Sequence, residues 1–137
     1  MPRIAQEFAD IPFATLVRGS VHRTTYPLTP ELVASYDRLV GAAAGERAVV
    51  PPWLYCTFLP IYRAMGGRME QGSVHIRQEV SQHGAARVGD VLDVAVTVTE
   101  ATLRKGRPTV VLDTGYAREG EVICRVTSTI LWGYASR

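Results

Sequence analysis

The order of apolar and alternating segments in the second half of the chain constrains the fold more than any other feature. An almost wholly apolar segment covers residues 49–62. Four β-like runs follow it, at 73–81, 91–101, 108–117 and 121–132. A helix that is apolar on all sides has to be buried all round. The order therefore predicts an α+β fold in which an antiparallel sheet curls around one helix.

The apolar segment predicts a long central α-helix over about 53–65. Pro51-Pro52 suits the start of a helix, and Gly66-Gly67 suits its end. Pro60 lies inside the predicted helix, removes one backbone hydrogen bond and predicts a kink there.

The four runs alternate between apolar and polar residues, which is typical of strands with one buried face. In 73–81, Val74, Ile76 and Val80 alternate with a polar face that we assign to His75, Arg77 and Glu79. The predicted buried residues of the second run are Leu92, Val94, Val96 and Val98, and those of the fourth are Val122, Cys124, Val126, Ile130 and Trp132. Lys105-Gly106 and Glu119-Gly120 predict short hairpin loops, which force antiparallel neighbours.

The first half of the chain predicts fewer elements. Residues 1–12 have no clear pattern and are expected to form an irregular lead-in, and 14–26 predict a first strand bent at Gly19. Thr29-Pro30-Glu31 predicts a helix start with Thr29 as the cap, and Gly41 suits its end. We expect one domain over 1–137.

Composition excludes several classes of function. The net charge of +2 is too small to indicate nucleic acid or an anionic membrane as the main partner. Cys56 and Cys124 both lie in apolar runs, which favours buried thiols over a disulfide framework or a metal site. Without an apolar leader or a long uncharged apolar stretch, the sequence predicts a soluble, cytoplasmic protein.

Four short motifs, in this order and spacing, resemble one family. They are Pro51-Pro52-Trp53, His75-Ile76-Arg77-Gln78-Glu79, Arg87-Val88-Gly89-Asp90, and Lys105-Gly106-Arg107 leading to Gly120-Glu121-Val122. Together they resemble the MaoC-like acyl dehydratases and hydratases, which have the hot-dog fold, and in particular the non-catalytic half of tandem or heterodimeric members. The resemblance extends from about Tyr26 to Trp132.

The resemblance implies a ligand, a reaction and a partner. The ligand would be an acyl thioester of coenzyme A or acyl carrier protein, as in fatty acid or polyketide metabolism, with no cofactor apart from the coenzyme A or phosphopantetheine of the substrate. The reaction would be reversible water addition to a trans-2-enoyl thioester, which needs an acid/base pair and a backbone donor for the enolate-like oxygen. The partner would be a second hot-dog chain, identical or related, whose sheet joins this one.

The sequence departs from the family in the loop after the first helix. Active members carry an Asp and a His five residues apart there, whereas residues 41–48 of this chain contain neither. Glu46 is the one carboxylate in this stretch, and it is either a substitute base or a solvated residue beside Arg47. His75 is either the acid/base residue or a cross-strand histidine that is exposed or hydrogen-bonded.

The substrate-binding candidates come from two segments. Trp53, Tyr55, Cys56, Tyr62 and Arg63 belong to the predicted central helix and would line an acyl pocket if they are not simply core. The basic residues Arg104, Lys105 and Arg107 would meet the phosphates of coenzyme A or an acidic carrier protein, or would form a solvated hairpin tip.

Three functions therefore stay open from the sequence. The first is a hydratase or dehydratase. The second is a catalytically silent hot-dog subunit that shapes an acyl tunnel for a partner with Asp and His. The third is a hot-dog thioesterase, which is disfavoured because such enzymes often place a carboxylate on the central helix and residues 53–65 contain none.

Overall fold

The computed structural model describes residues 8–39, 50 and 52–136 of the chain. These residues include two α-helices, α1 (Pro30–Leu39) and α2 (Leu59–Met65), and a 3₁₀ turn at Pro52–Cys56 that precedes α2. The five strands are β1 (Val21–Pro27), β2 (Val74–Gln82), β3 (Val91–Arg104), β4 (Arg107–Arg118) and β5 (Glu121–Leu131). No helix in these described ranges is long and apolar enough to cross a membrane.

The strands form one antiparallel sheet in the order β1-β3-β4-β5-β2, so β1 and β2 are its edges. Two-residue loops join β3 to β4 and β4 to β5. Lys105 and Gly106 have φ of 51° and 75°, and Glu119 and Gly120 have φ of 52° and 83°. Positive φ at both positions is the type I′ geometry that matches the twist of the flanking strands. The predicted hairpins are confirmed.

One face of the sheet, which we call the inner face, carries the core. The four residues predicted to be buried in β3 are 0–2% exposed, and Val110 and Leu112 of β4 are fully buried. The prediction for β5 is wrong at Val122, which is only half-buried, whereas Ile123 is 2% exposed. The cause is a β-bulge: Cys124 lies opposite Tyr116 but Val122 lies opposite Ala117, so Ile123 is the extra residue and the alternation shifts.

The apolar segment does not form one long helix. It divides into the 3₁₀ turn and α2, with Phe58 as the residue before α2. Pro60 lies in the first turn of α2, where its missing N–H costs nothing, so it starts a second helix rather than kinking a longer one. Gly66 ends α2 as predicted, with φ of 70° and its N–H donating to the Tyr62 carbonyl at 2.9 Å.

The helix start at residue 30 is confirmed, because the Thr29 hydroxyl accepts a hydrogen bond from the Leu32 amide at 3.1 Å. The first strand is shorter than predicted: residues 13–15 form a 3₁₀ turn, and β1 begins only at Val21. Gly19 has φ of +87°, which separates these two parts of the chain.

The Arg87–Asp90 step is a tight turn that leads into β3. Gly89 has φ of +99°, and the Asp90 amide donates to the Arg87 carbonyl at 3.0 Å, as in a type II turn. The Asp90 carboxylate accepts from the Arg87 amide at 2.9 Å and from the Arg118 guanidinium at 3.2 Å. These two donors lower the pKa of Asp90. The Arg87–Asp90 motif therefore has a structural role, because its hydrogen bonds hold the turn that leads into β3.

Candidate functional site

Two buried tyrosines fasten the 3₁₀ turn to the inner face. The Tyr116 hydroxyl donates to the Tyr55 carbonyl at 2.9 Å, and the Tyr26 hydroxyl donates to the Leu54 carbonyl at 3.2 Å. The Tyr116 ring also packs against the rings of Tyr55 and Tyr26, with centroid separations of 5.2 and 6.1 Å. Burial raises the pKa of Tyr116, so the phenol stays protonated and remains a donor. The turn is held at a fixed position over β4.

The two thiols of the molecule are poor nucleophiles. Cys124 is fully buried, and burial raises the pKa of its thiol to about 11. Cys56 is half-buried, and burial raises its pKa as well. The thiolate is the reactive form of cysteine, so both environments disfavour covalent catalysis.

His75 lies on the inner face, and the prediction that it shares a polar face with Arg77 and Glu79 is wrong. The register of β2 against β5 shifts between His75 and Arg77, which makes Ile76 the extra residue of a bulge. Directly opposite residues of an antiparallel pair point to the same side. His75 lies opposite the buried Ile130, whereas Arg77 lies opposite Thr129 on the outer face.

An aromatic contact joins His75 to the start of α2. The rings of Phe58 and His75 meet edge to face with centroids 5.3 Å apart, and Phe58 also stacks on Tyr62 at 6.0 Å. His75 is nevertheless exposed, and so are all nine residues of β2. The structure therefore brings two of the predicted site residues, His75 and Tyr62, to one apolar corner that is open to solvent.

Two buried hydroxyls on the inner face were missed by the sequence analysis. Thr114 of β4 and Ser128 of β5 are each 1% exposed, and neither side-chain oxygen has a hydrogen-bond partner among the residues that the structure describes. Thr114 lies opposite Val126, and Ser128 lies opposite Leu112, so the two hydroxyls are diagonal neighbours on one face. In the alternating runs 110–116 and 124–130, each of these two residues is a polar residue at a position where the pattern calls for an apolar one. This departure from the pattern is visible in the sequence.

An unpaired buried hydroxyl costs about 1–3 kcal/mol of desolvation. Thr114→Val removes the hydroxyl and keeps the shape, so we expect it to raise the free energy of unfolding by about 1–3 kcal/mol in the absence of ligand. Urea denaturation of wild type and variant measures this. Thr25→Val, on the exposed face of β1, is the control and should change stability by less than about 0.5 kcal/mol. A destabilised Thr114→Val would show that this hydroxyl has a partner.

The basic residues of the β3–β4 hairpin lie away from His75. Arg104 forms an ion pair with Glu100, and the Arg107 guanidinium lies over the Tyr134 ring, 5.4 Å from its centroid. Arg104 also lines a pocket of about 230 Å³ on the outer face, together with Arg77, Glu79, Val111, Thr127 and Thr129. The sheet separates this pocket from the face that carries His75.

Of the remaining candidate residues, one is buried, two are exposed and two have side chains that the structure does not describe. Tyr55 is buried, and Arg63 and Lys105 are exposed. Glu46 lies outside the described residues, as does the whole of 41–48, and the side chain of Trp53 is not described. Among the described residues, no three His, Cys, Asp or Glu side chains group as metal ligands would.

In a serine–histidine contact elsewhere on the inner face, the serine donates its proton to a carbonyl and not to the imidazole. Ser20 Oγ lies 3.2 Å from the His22 Nε2 and donates its proton to the Val17 carbonyl at 2.6 Å. The histidine ring is therefore not positioned to remove the serine proton, as a catalytic base would.

Solved structures share this architecture. The (R)-hydratase from A. caviae involved in PHA biosynthesis superposes with a TM-score of 0.67 and 21% identity, over 86% of this chain and 98% of that chain. The 3R-hydroxyacyl-ACP dehydratase complex HadBC of Mycobacterium tuberculosis gives 0.64 and 20%, over 85% and 97%. A variant of the fluoroacetyl-CoA-specific thioesterase FlK gives 0.66 and 14%, over 88% and 90%.

These likenesses establish the fold. The chain has the hot-dog fold, and its structural neighbours include MaoC-like (R)-hydratases, as the motifs predicted. No protein-family model matches the sequence. No curated protein matches it either.

Proposed function

We propose that this hot-dog domain binds acyl thioesters of coenzyme A or acyl carrier protein and catalyses reversible hydration of the enoyl group. The observation that carries the proposal is the placement of His75 on the inner face, against Phe58 at the start of α2. An imidazole on the outer face would be separated by the sheet from any ligand held between the sheet and the 52–65 segment.

The structural neighbours support the choice of ligand. The names of the three proteins compared above refer to a hydratase, a hydroxyacyl-ACP dehydratase and a fluoroacetyl-CoA thioesterase, and the last two names specify acyl thioesters. In this chain, Tyr26 and Tyr116 fix the turn that would form one wall of an acyl pocket. Coenzyme A or phosphopantetheine would arrive as part of the substrate, and no further cofactor is proposed.

The chemistry assigns His75 a proton-transfer role. Addition of water forms a C–O bond at the β carbon and a C–H bond at the α carbon, so one proton leaves the water and one reaches the α carbon. His75 would take the first proton and could return it to the α carbon. Glu46 is the second candidate for this role, and the thioester oxygen would need a backbone amide donor while it carries negative charge.

A second function is favoured by the sequence of residues 41–48. That stretch lacks both the Asp and the His of active family members. In this alternative, the chain is a silent subunit that binds the acyl group while a related partner chain supplies the catalytic pair. Under both functions, we expect the protein to act as a dimer in the cytoplasm, with a copy of itself or with a related hot-dog chain.

Turnover by the purified protein tests the proposal. We expect hydration of trans-2-enoyl-CoA to be measurable by loss of enoyl absorbance, and His75→Ala to lower kcat by about 100-fold or more, because a positioned acid/base residue contributes about 10²–10⁴-fold. His83→Ala is the matched control: His83 is exposed, and its imidazole lies within hydrogen-bond distance, 3.2 Å, of the Ser81 hydroxyl. Its kcat should stay within about twofold of wild type. Glu46→Gln, assayed in parallel, shows whether that carboxylate takes part.

The other outcomes separate the alternatives. Binding of an acyl thioester without turnover, with activity restored by an Asp/His-bearing chain, would favour the silent subunit. Release of free thiol would indicate a thioesterase. Equal kcat in wild type and His75→Ala would remove His75 from the mechanism, and a failure to bind any acyl thioester would overturn the proposed function.

A further inference from the structure

The bulge in β2 places a second polar side chain beside His75 on the inner face. In a regular strand, residues three positions apart point to opposite sides of the sheet. Because Ile76 is the extra residue of the bulge, His75 lies opposite Ile130 and Gln78 lies opposite Ser128, so both are on the inner face. Ile130 and Ser128 are inner-face neighbours along β5, so we expect about 7 Å between the Cα atoms of His75 and Gln78.

The amide of Gln78 is available to a ligand. Gln78 is exposed, and its side chain makes no hydrogen bond to any residue that the structure describes. Gln82 lies on the same strand and face, opposite Cys124, but its amide nitrogen donates to the Gly84 carbonyl at 3.0 Å. Of these two glutamines, the one without a partner among the described residues is the neighbour of His75.

Hydration of an enoyl group needs more than a base for the water. The water attacks the β carbon with an oxygen lone pair, so both of its O–H bonds have to point away from that carbon. The base accepts one O–H, and the other needs a second acceptor if the lone pair is to stay aimed at the carbon. The carbonyl oxygen of a glutamine side chain is such an acceptor, and it stays uncharged.

We propose that Gln78 positions the attacking water for His75, an inference that rests on the proposed function. The Gln78 amide oxygen accepts one O–H of the water, and His75 accepts the other and removes that proton. As the C–O bond forms at the β carbon, the π electrons of the double bond move toward the α carbon and the thioester oxygen. The proton on His75 then returns to the α carbon. Gln78 gains and loses no proton, so it is a positioning residue.

The buried hydroxyl opposite Gln78 provides a second contact for its amide. Ser128 is 1% exposed, and its hydroxyl has no partner within the described part of the chain. Directly opposite residues of an antiparallel pair have Cβ atoms about 4.5–5.5 Å apart, which a glutamine side chain can span. When the Gln78 oxygen points to the water, its NH₂ group donates to the Ser128 hydroxyl. That hydrogen bond fixes which end of the amide faces the water.

Substitutions at the two glutamines test the inference. Gln78→Met keeps the length of the side chain and removes the acceptor. We expect it to lower kcat for hydration of trans-2-enoyl-CoA by about tenfold and to change KM by less than about threefold, because the lost hydrogen bond orients the water and does not hold the thioester. Gln78→Glu keeps an acceptor oxygen and should restore kcat to within about threefold of wild type. Gln82→Met, on the same strand and face, is the matched control and should keep both constants within about twofold.

A double-mutant cycle tests the contact with Ser128. Ser128→Ala should lower kcat by a smaller factor than Gln78→Met, because the amide keeps its oxygen but loses the donor contact that orients it. The double variant Q78M/S128A should be no slower than Gln78→Met alone, since Ser128 acts through the amide that is already missing. Additive losses would show that Ser128 affects kcat by a separate route.

The outcomes distinguish failure of the inference from failure of the proposed function. A wild-type protein that hydrates no enoyl thioester overturns both. Hydration that Gln78→Met leaves unchanged overturns the inference alone. So does an equal fall of kcat in Gln82→Met, which would indicate a general effect on β2, and so does a higher KM at unchanged kcat, which would indicate binding of the thioester. Far-UV circular dichroism checks that each variant is folded, and Gln78→Ala makes the same comparison if Gln78→Met does not fold.

Discussion

Replacing Tyr116 with alanine is expected to lower the free energy of unfolding by about 3–5 kcal/mol, in the range seen for large aromatic residues removed from a core. The residue is fully buried and packs against two further tyrosine rings. Its loss leaves a cavity beneath the 3₁₀ turn and removes the donor to the Tyr55 carbonyl. Equilibrium unfolding in urea measures the change.

The conservative variant separates the ring from the hydroxyl. Tyr116→Phe keeps the packing and leaves the Tyr55 carbonyl without its 2.9 Å donor, so we expect a loss of about 1–3 kcal/mol. Tyr134→Phe, at a tyrosine that is 41% exposed, should change stability by less than about 0.5 kcal/mol. If Tyr116→Phe is as stable as wild type, the hydroxyl does not fasten the turn.

Replacing Trp132 with alanine should also cost about 3–5 kcal/mol, and its effect should reach the first described residues of the chain. The indole is 1% exposed, and its Nε1 donates to the Ile11 carbonyl at 2.7 Å. The Ile11 amide in turn donates to the Arg68 carbonyl at 2.9 Å. One side chain after β5 therefore holds the N-terminal segment against the residues that follow α2.

Hydrogen exchange can distinguish global from local loss. In Trp132→Ala we expect the Ile11 amide to lose protection by a larger factor than amides in the centre of β4, because its segment loses a direct contact. Trp132→Phe keeps part of the packing and should be intermediate. Leu103→Ala, at a residue that is 66% exposed, is the control and should be neutral. Uniform loss of protection in Trp132→Ala would contradict the local role.

Most of the sheet could be predicted from the sequence because its determinants are local. Lys105-Gly106 and Glu119-Gly120 suit turns with positive φ, and the alternation in β3 assigns its buried face without reference to any other strand. The cap at Thr29 is equally local. Turn chemistry and period-two alternation depend only on neighbouring residues, so a single sequence displays them.

The errors came from features that depend on the partner strand or on competing local structures. The bulges at Ile76 and Ile123 exist only in the pairing with another strand, and the alternation of 73–81 reads as regular without them. Pro60 suits a kink and a helix start equally well, and the turn held by Tyr26 and Tyr116 decides between them. The sequence pattern therefore assigns His75 to the wrong face of its strand.

The bulge at Ile76 also determines which sequence changes the chain can accept without losing its fold. Residues 77–82 keep their pairing with β5 whether or not position 76 is occupied, because the register is regular from Arg77 onward. A chain from which this one residue is deleted would keep the sheet, and its histidine would still lie opposite Ile130 on the inner face, because it would then directly precede Arg77 in a regular strand and adjacent residues point to opposite sides. A difference of one residue in length at this position therefore leaves the side on which the imidazole lies unchanged.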